Sequence, residues 1–285
     1  MESFFYQDRN SFTLRPKRAL DEICDVSAIR PLMFQGLSRA EIAAVKLTLD
    51  TRSVRLEEVF ELIGDPAPNL VFDGDCSGIV GIATNMNGGS ILVRGDAGSG
   101  LAANMKSGRV EVLGNCGDYL AMGMRNGTVI VHGSAGDYVG GPAVGQRRGM
   151  HGGDCIVLGD VGARAAERMR RGTLYVGGNA GDYGATQMIA GTFIVMGDIG
   201  VAWAGGMRRG SIILSHPTSQ AFAAELTPGR EFELSFLPLV WRHLEGLLGD
   251  SRIKVSNSRW ALRQLGDRAN RGLGEVLTLT RASSL

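Results

Sequence analysis

Seven methionines stand in register along this chain: Met86, Met105, Met124, Met150, Met169, Met188 and Met207, separated by 19, 19, 26, 19, 19 and 19 residues. Three places after each comes a glycine, in turn Gly89, Gly108, Gly127, Gly153, Gly172, Gly191 and Gly210, and then a short apolar run. A fixed period near twenty residues belongs to chains built from stacked, near-identical units. That decides the fold before any single motif is considered.

The apolar runs lie at 90–94, 109–113, 128–132, 154–158, 173–177, 192–196 and 211–215, and residues 70–72 look like an eighth, incomplete member. They are rich in Val, Ile and Thr and bounded by glycine, as strands are. Side chains alternate along a strand. The second and fourth positions are apolar throughout (Ile91/Val93, Val110/Val112, Val129/Val131, Cys155/Val157, Leu174/Val176, Phe193/Val195, Ile212/Leu214) and are expected to point inward. Equivalent strands stack in parallel only if each coil returns to its start, and such crossovers are right-handed. The expected fold is an all-β core, a right-handed parallel β-helix of about seven coils spaced ~4.8 Å apart, with small α/β flanking caps. The Leu-x-x-Leu-x-Leu frame of a leucine-rich horseshoe is missing. Glycine, 42 of 285 residues, is about twice its ordinary share and is expected at sharp corners that need positive φ.

Three regions follow: 1–69 as an N-terminal cap or partner-binding extension, 70–215 as the β-helix, and 216–285 as a C-terminal cap or extension. The first is expected to hold a strand at 11–15 and two short helices. One helix starts at the capping box Ser38 to Glu41, ahead of Ile42, Ala43 and Val45; the other spans 56–63 and ends at Gly64-Asp65-Pro66. The last contains apolar segments at 232–248 and 260–265. Stacked strands leave unpaired edges at both ends, so capping is the default role of each flank.

A formal charge of +1 gives no broad attraction to nucleic acid or membrane. No run approaches the roughly 18 apolar residues of a spanning helix. The opening Met-Glu-Ser-Phe-Phe-Tyr-Gln-Asp lacks the basic and apolar regions of a signal peptide, so the expected location is cytoplasmic. Of the four cysteines, Cys155 is inward and Cys24 stands alone. Cys76 and Cys116 align with Ala97, Ala135, Val161, Ala180 and Ile199, two coils and near ~10 Å apart, too far for a disulfide. No Cys-x-x-Cys or His-rich cluster points to zinc or iron–sulfur.

Several columns bear on chemistry. One runs Asp75, Asp96, Asn115, Ser134, Asp160, Asn179, Asp198; another holds Asp118, Asp137 and Asp182, each in Gly-Asp-Tyr. Grouped carboxylates occur in polysaccharide-cleaving enzymes, but free interchange of Asp, Asn and Ser is the habit of turns. The outward strand column, Leu92, Glu111, Ile130, Ile156, Tyr175, Ile194 and Ile213, is apolar but for Glu111. Contiguous apolar surface of that kind marks a protein interface or cover by the chain's own flanks. A basic column follows the methionines: Lys106, Arg125, His151, Arg170 and Arg208, with Arg171 and Arg209 one place on. It is either a solvated corner or a docking strip for a polyanion or acidic partner, because aligned guanidiniums bind carboxylates. The 26-residue gap adds a surface loop carrying Arg147 and Arg148, and loops carry function disproportionately. No nucleophile accompanies them, so contact is expected rather than catalysis.

The run of Gly-x-x-Gly(-Asp) … Met-x-x-Gly-[Thr/Ser] coils resembles the C subunit of formylmethanofuran dehydrogenase, and equally the C subunit of the formyltransferase/hydrolase complex of methylotrophs. Both are related to the C-terminal β-helix of glutamate synthase. The resemblance covers 70–215, and more loosely 56–64 and 266–275. It implies a non-catalytic scaffold holding a metallohydrolase-like, a formyltransferase and a molybdopterin-enzyme-like subunit. In that complex, formyl-tetrahydromethanopterin gives its formyl group to a methanofuran-type carrier and formate is released during formaldehyde oxidation. The family offers no catalytic residue in this subunit to carry over, and no cofactor-binding or metal-ligating residue is assigned in this chain. Four lysines (Lys17, Lys46, Lys106, Lys254) against 26 arginines suit a GC-rich bacterial genome. A tungsten or molybdenum dehydrogenase component, a glutamate-synthase-type domain and a polysaccharide-acting enzyme remain the alternatives.

Overall fold

In a computed structural model, which describes residues 11–220, 222, 224–248 and 258–280, all seven methionines are fully buried. Their side chains explain the glycines that accompany them. A Cβ added to Gly108, Gly127, Gly153, Gly172 or Gly191 would lie 2.6, 2.8, 2.8, 3.0 or 3.2 Å from the Cε of Met86, Met105, Met124, Met150 or Met169 respectively. Met-x-x-Gly is therefore a contact between repeats. The methyl of one methionine occupies the space left by the missing side chain of the next unit's glycine, and unbranched methionine suits such irregular gaps. Met207 makes the same approach to Gly274, at 2.7 Å, so the C-terminal flank stands where a further repeat would.

The N-terminal flank forms β1 (Phe12–Pro16), β2 (Cys24–Asp25), α1 (Arg39–Ala43), β3 (Lys46–Leu49), β4 (Arg52–Arg55), α2 (Leu56–Val59) and β5 (Phe60–Ile63). The repeats contribute β6 (Asn69–Phe72), β7 (Ile79–Val80), β8 (Asn87–Val93), β9 (Ser107–Val112), β10 (Thr128–Val131), β11 (Asp154–Val157), β12 (Thr173–Val176), β13 (Thr192–Val195) and β14 (Arg209–Leu214). The C-terminal flank supplies β15 (Arg230–Glu233), α3 (Leu237–Leu248), β16 (Trp260–Gly266) and β17 (Leu273–Leu279). One 13-stranded sheet runs β15-β16-β17-β14-β13-β12-β11-β10-β9-β8-β6-β1-β5, and a small second sheet runs β4-β3-β2-β7.

Neighbouring repeat strands are parallel and pair equivalent residues: Val110 with Val129, Val129 with Cys155, Cys155 with Leu174, Leu174 with Phe193, and Phe193 with Ile212. The incomplete member is β6, whose Leu70 pairs with Ile91. The second and fourth strand positions join the main core. A further ladder of isolated bridges links Cys76, Ala97, Cys116, Ala135, Val161, Ala180 and Ile199 in that order, as the alignment of small residues anticipates. All four cysteines are buried and free. Burial pushes the thiols up, Cys24 to about 11 and Cys76 and Cys116 to about 12, so they pack as small hydrophobes.

The aspartate column is a hydrogen-bonding device. Asp96 Oδ1 accepts the N–H of Asn115 (2.6 Å), Asn115 Oδ1 that of Ser134 (2.9 Å), and Ser134 Oγ that of Asp160 (3.0 Å). Asp160 and Asn179 continue it to Asn179 (2.6 Å) and Asp198 (2.8 Å). The position asks only for an acceptor, which is why Asp, Asn and Ser interchange. Asp118, Asp137 and Asp182 likewise accept the N–H groups of Asp137, Ala163 and Val201 at 2.7–2.8 Å.

Two expectations need correction. The sequence reading places glycine mainly at positive-φ corners. Many of those corners instead carry other residues in the left-handed region, among them Ala102 (φ 59), Ala121 (φ 54), Tyr138 (φ 61) and Arg164 (φ 61). Glycines such as Gly114 and Gly178, outside that region, sit where the previous repeat passes closest; a Cβ there would collide with Oδ1 of Asp96 or Asp160. The helix expected at 56–63 is one turn, α2, followed by β5. Phe60 is buried, with its ring edge-on to Phe72 at 6.1 Å, and β5 pairs antiparallel with β1, because the open edge of β1 offers more hydrogen bonds than a helix end would.

The outward column is buried by the chain itself. Ile130, Ile156, Tyr175, Ile194 and Ile213 form a second core with Leu237, Trp241, Leu244 and Leu248 of α3 and with Ala261, Leu277 and Leu279. The spacing of the α3 residues puts them on one helical face. The opening residues 1–10, on which the expectation of no signal peptide rests, lie outside the described residues.

The inter-repeat contact is testable. Gly127 has φ +100, so Gly127→Ala should destabilise the chain by about 2–5 kcal/mol, combining a left-handed backbone penalty with overpacking. In a Met105→Ala background the same change should be milder by about 1 kcal/mol. Equal losses in both backgrounds, measured by urea denaturation, would remove Met105 from the contact.

Candidate partner-binding site

The residue after each methionine is held in line by the same backbone rung. Lys106, Arg125, His151, Arg170 and Arg208 donate their N–H groups to the carbonyls of Met86, Met105, Met124, Met150 and Met188 at 2.6–2.8 Å. Ile189 occupies the rung on Met169 and interrupts the column. The structure therefore divides the basic residues into two groups that share Arg170.

The first group surrounds His151. Burial, then the charges of Arg170, Arg125 and Arg148, holds its imidazole below the usual histidine range. Its Nε2 is buried without a hydrogen-bond partner among the described residues. His151 is accordingly neutral at pH 7 and adds no charge to the strip. The extra loop, residues 142–148, is closed at its base by the Met150 N–H donating to the Gly140 carbonyl at 2.7 Å. Val144, 94% exposed, marks its outer part, and Arg147 and Arg148 are exposed on it. Lys106 and Arg125 are exposed on earlier repeats.

The second group lines a cleft of about 690 Å³ formed by Arg170, Arg171, Ile189, Ala190, Arg208, Arg209, Ala269, Asn270, Arg271 and Leu273. Five of its ten residues are arginines and none is acidic. Arg271 was not legible as a site residue, because it lies outside the repeat and reaches the cleft only through the turn at 266–272. Asp267 builds that turn. It is 3% exposed and accepts from the N–H of Glu225 (2.9 Å), the N–H of Ala269 (3.1 Å), the side chain of Asn270 (2.9 Å) and the N–H of Gly206 (3.3 Å). Its backbone carbonyl takes the N–H groups of Asn270 and Gly272. Burial alone would raise its pKa, but the four donors outweigh it and hold the carboxyl below its ordinary value.

A depressed carboxylate stabilises the fold above its unfolded pKa, and that contribution is lost as pH falls through the folded value. Asp267→Asn should therefore lower stability by about 1–3 kcal/mol at pH 7, with the difference from wild type shrinking below about pH 4. Thermal melts of both proteins across that range check it; a pH-independent gap would contradict it.

Among the described residues, no group of three or more His, Cys, Asp or Glu side chains is arranged to hold a metal ion. No helix of the described residues is long and apolar enough to cross a membrane.

The GXGXG motif family matches residues 76–228, more than half of the chain. The C subunit of the molybdenum-containing formylmethanofuran dehydrogenase 1 of Methanothermobacter thermautotrophicus is 37% identical over 89 residues, 30% of this chain and 22% of that protein. The C subunit of the tungsten-containing formylmethanofuran dehydrogenase 2 of Methanothermobacter marburgensis is 31% identical over 88 residues, 29% of this chain and 33% of that protein. The chain thus spans between about a fifth and a third of the length of these curated relatives. Among solved structures, a chain of the formyltransferase/hydrolase complex (FhcABCD) from Methylorubrum extorquens, crystallised with methylofuran, superposes with a TM-score of 0.83 at 31% identity, covering 94% of this chain and 100% of that one. The chain belongs to the GXGXG-motif family that includes the C subunits of the formylmethanofuran dehydrogenases and of the formyltransferase/hydrolase complex.

Proposed function

We propose that this chain is a scaffolding C subunit, without an active site of its own, of a formyltransferase/hydrolase-type complex in one-carbon metabolism. The observation that carries this reading is the likeness to a chain of FhcABCD along the whole of that chain; the dehydrogenase relatives match less than a third of this one. In the proposed role, the complex takes the formyl group of formyl-tetrahydromethanopterin through a methanofuran-type carrier to formate. The partners would be a metallohydrolase-like, a formyltransferase and a molybdopterin-enzyme-like subunit, in the cytoplasm. The repeats at 70–215 form a right-handed parallel β-helix, with 1–69 and 216–285 as caps.

The side chains support a structural role. The carboxylates of Asp118, Asp137 and Asp182 are engaged with backbone N–H groups of the following repeat, which disfavours the polysaccharide-cleaving alternative. The thiols are buried, and the broad apolar face lies under α3. Lys106, Arg125, Arg147, Arg148, Arg170, Arg171 and Arg208, with the neutral His151 among them, are the residues proposed to meet partner subunits.

A tagged chain produced with its neighbouring genes should co-purify with several other polypeptides. Arg147→Glu/Arg148→Glu should weaken that assembly about tenfold or more, an effect that shrinks at high salt. Recovery of the chain alone from native extract as a stable, monodisperse species would overturn the scaffold reading.

A further inference from the structure

The chain as a whole is nearly neutral, with 30 basic against 29 acidic residues, and many of its arginines face carboxylates. Arg15 meets Glu61 and Asp73, Arg55 meets Glu57 and Glu58, and Arg164 and Arg168 share Glu167. The cleft beside the last repeats is different. Arg170, Arg171, Arg208, Arg209 and Arg271 make no ion pair among the described residues, and no carboxylate lines the space between them. Five like charges gathered without counter-ions repel one another, and a ligand that supplies carboxylates relieves that repulsion.

The spacing narrows the ligand. Arg170 and Arg171 precede Arg208 and Arg209 by two repeats, and Ile189 and Ala190 fill the rung between them. At ~4.8 Å per repeat the two arginine pairs stand about 10 Å apart. An extended polyproline-II segment rises ~3.1 Å per residue with three residues per turn, so every third side chain returns to the same face after about 9 Å. Acidic side chains at that interval would meet successive arginine pairs, and guanidinium forks take carboxylates in bidentate fashion. Residues between them would lie on Ile189, Ala190 and Leu273, the last 55% exposed. No aromatic ring lines the cleft, whereas single-stranded nucleic acid is gripped by stacking on aromatic side chains.

We propose that this cleft binds an extended, carboxylate-rich segment of a partner polypeptide, with acidic residues three apart. The partner's identity as a fellow subunit rests on the scaffold reading, but binding of the segment does not.

The test uses the full chain and a fluorescent peptide carrying four glutamates at every third position, followed by anisotropy. The comparators are a peptide of the same composition with adjacent glutamates, tripolyphosphate and an oligothymidylate. The spaced peptide should bind tightest. Arg208→Glu/Arg209→Glu should raise its Kd about tenfold or more, and Arg271→Glu should raise it by a smaller factor. Arg147→Glu/Arg148→Glu, on the loop, should leave the Kd unchanged. An unaltered Kd in the Arg208→Glu/Arg209→Glu chain with an unchanged melting temperature, or tighter binding of either phosphate polymer, would overturn the proposal. Peptide binding that survives while no subunits co-purify would sink the scaffold reading alone; the reverse result would sink the cleft alone.

Discussion

The methyls of six of the seven methionines rest against a glycine one repeat further on, and the rest of the structure follows from that contact. It sets how closely consecutive repeats approach, and so brings the strands within hydrogen-bonding distance in one register. A larger residue at the glycine would lift the next repeat away, while a smaller one at the methionine would leave a void in a close-packed interior. The contact recurs down the stack and ends on Gly274, which is how β17 joins the sheet as though it were another unit.

Once repeats are held this close, side chains of one serve the backbone of the next. Asp, Asn and Ser oxygens accept N–H groups at positions where a catalytic reading of the sequence would place acids. The left-handed corners carry a similar logic. Bulky residues in that region are strained, yet Tyr119, Tyr138, Arg164 and Tyr183 repeat it with φ near 61. They offset the strain by stacking: the Tyr119 and Tyr138 rings lie 5.1 Å apart, and Arg164 sits 5.8 Å from the Tyr138 ring and 5.1 Å from that of Tyr183. Polar and aromatic columns that resemble a binding surface are thus largely the means by which repeats hold one another.

The strands, their parallel order, the inward positions and the cysteine column were all legible, because a period of 19 makes every unit a witness for the others. What lies outside the period was harder to read. The segment 56–63 has an apolar pattern compatible with helix or strand, and only the open edge of β1 selects strand for Phe60–Ile63. The outward isoleucines could equally have met a partner, and no local signal reveals that α3 covers them. Lys106, Arg125, His151, Arg170 and Arg208, with Arg171 beside them, are legible as a basic column and Arg147 and Arg148 as part of the extra loop. The column is split by Ile189, however, and burial together with the neighbouring arginines keeps His151 neutral. Arg271 was invisible, since its place in the cleft depends on Asp267 gathering donors from Gly206 and Glu225.

The molecule that emerges is a stack whose interior and broad face hold the repeats together and whose basic edge is the surface proposed to meet partners. Hydrogen exchange of the chain, alone and within its complex, addresses that division most directly. The amides of β8 to β14 should exchange slowly and equally in both states, while residues 142–149 and 268–273 should become protected only on assembly. Repeat strands that exchange rapidly in the isolated chain, or unchanged exchange at both charged segments on assembly, would contradict the account.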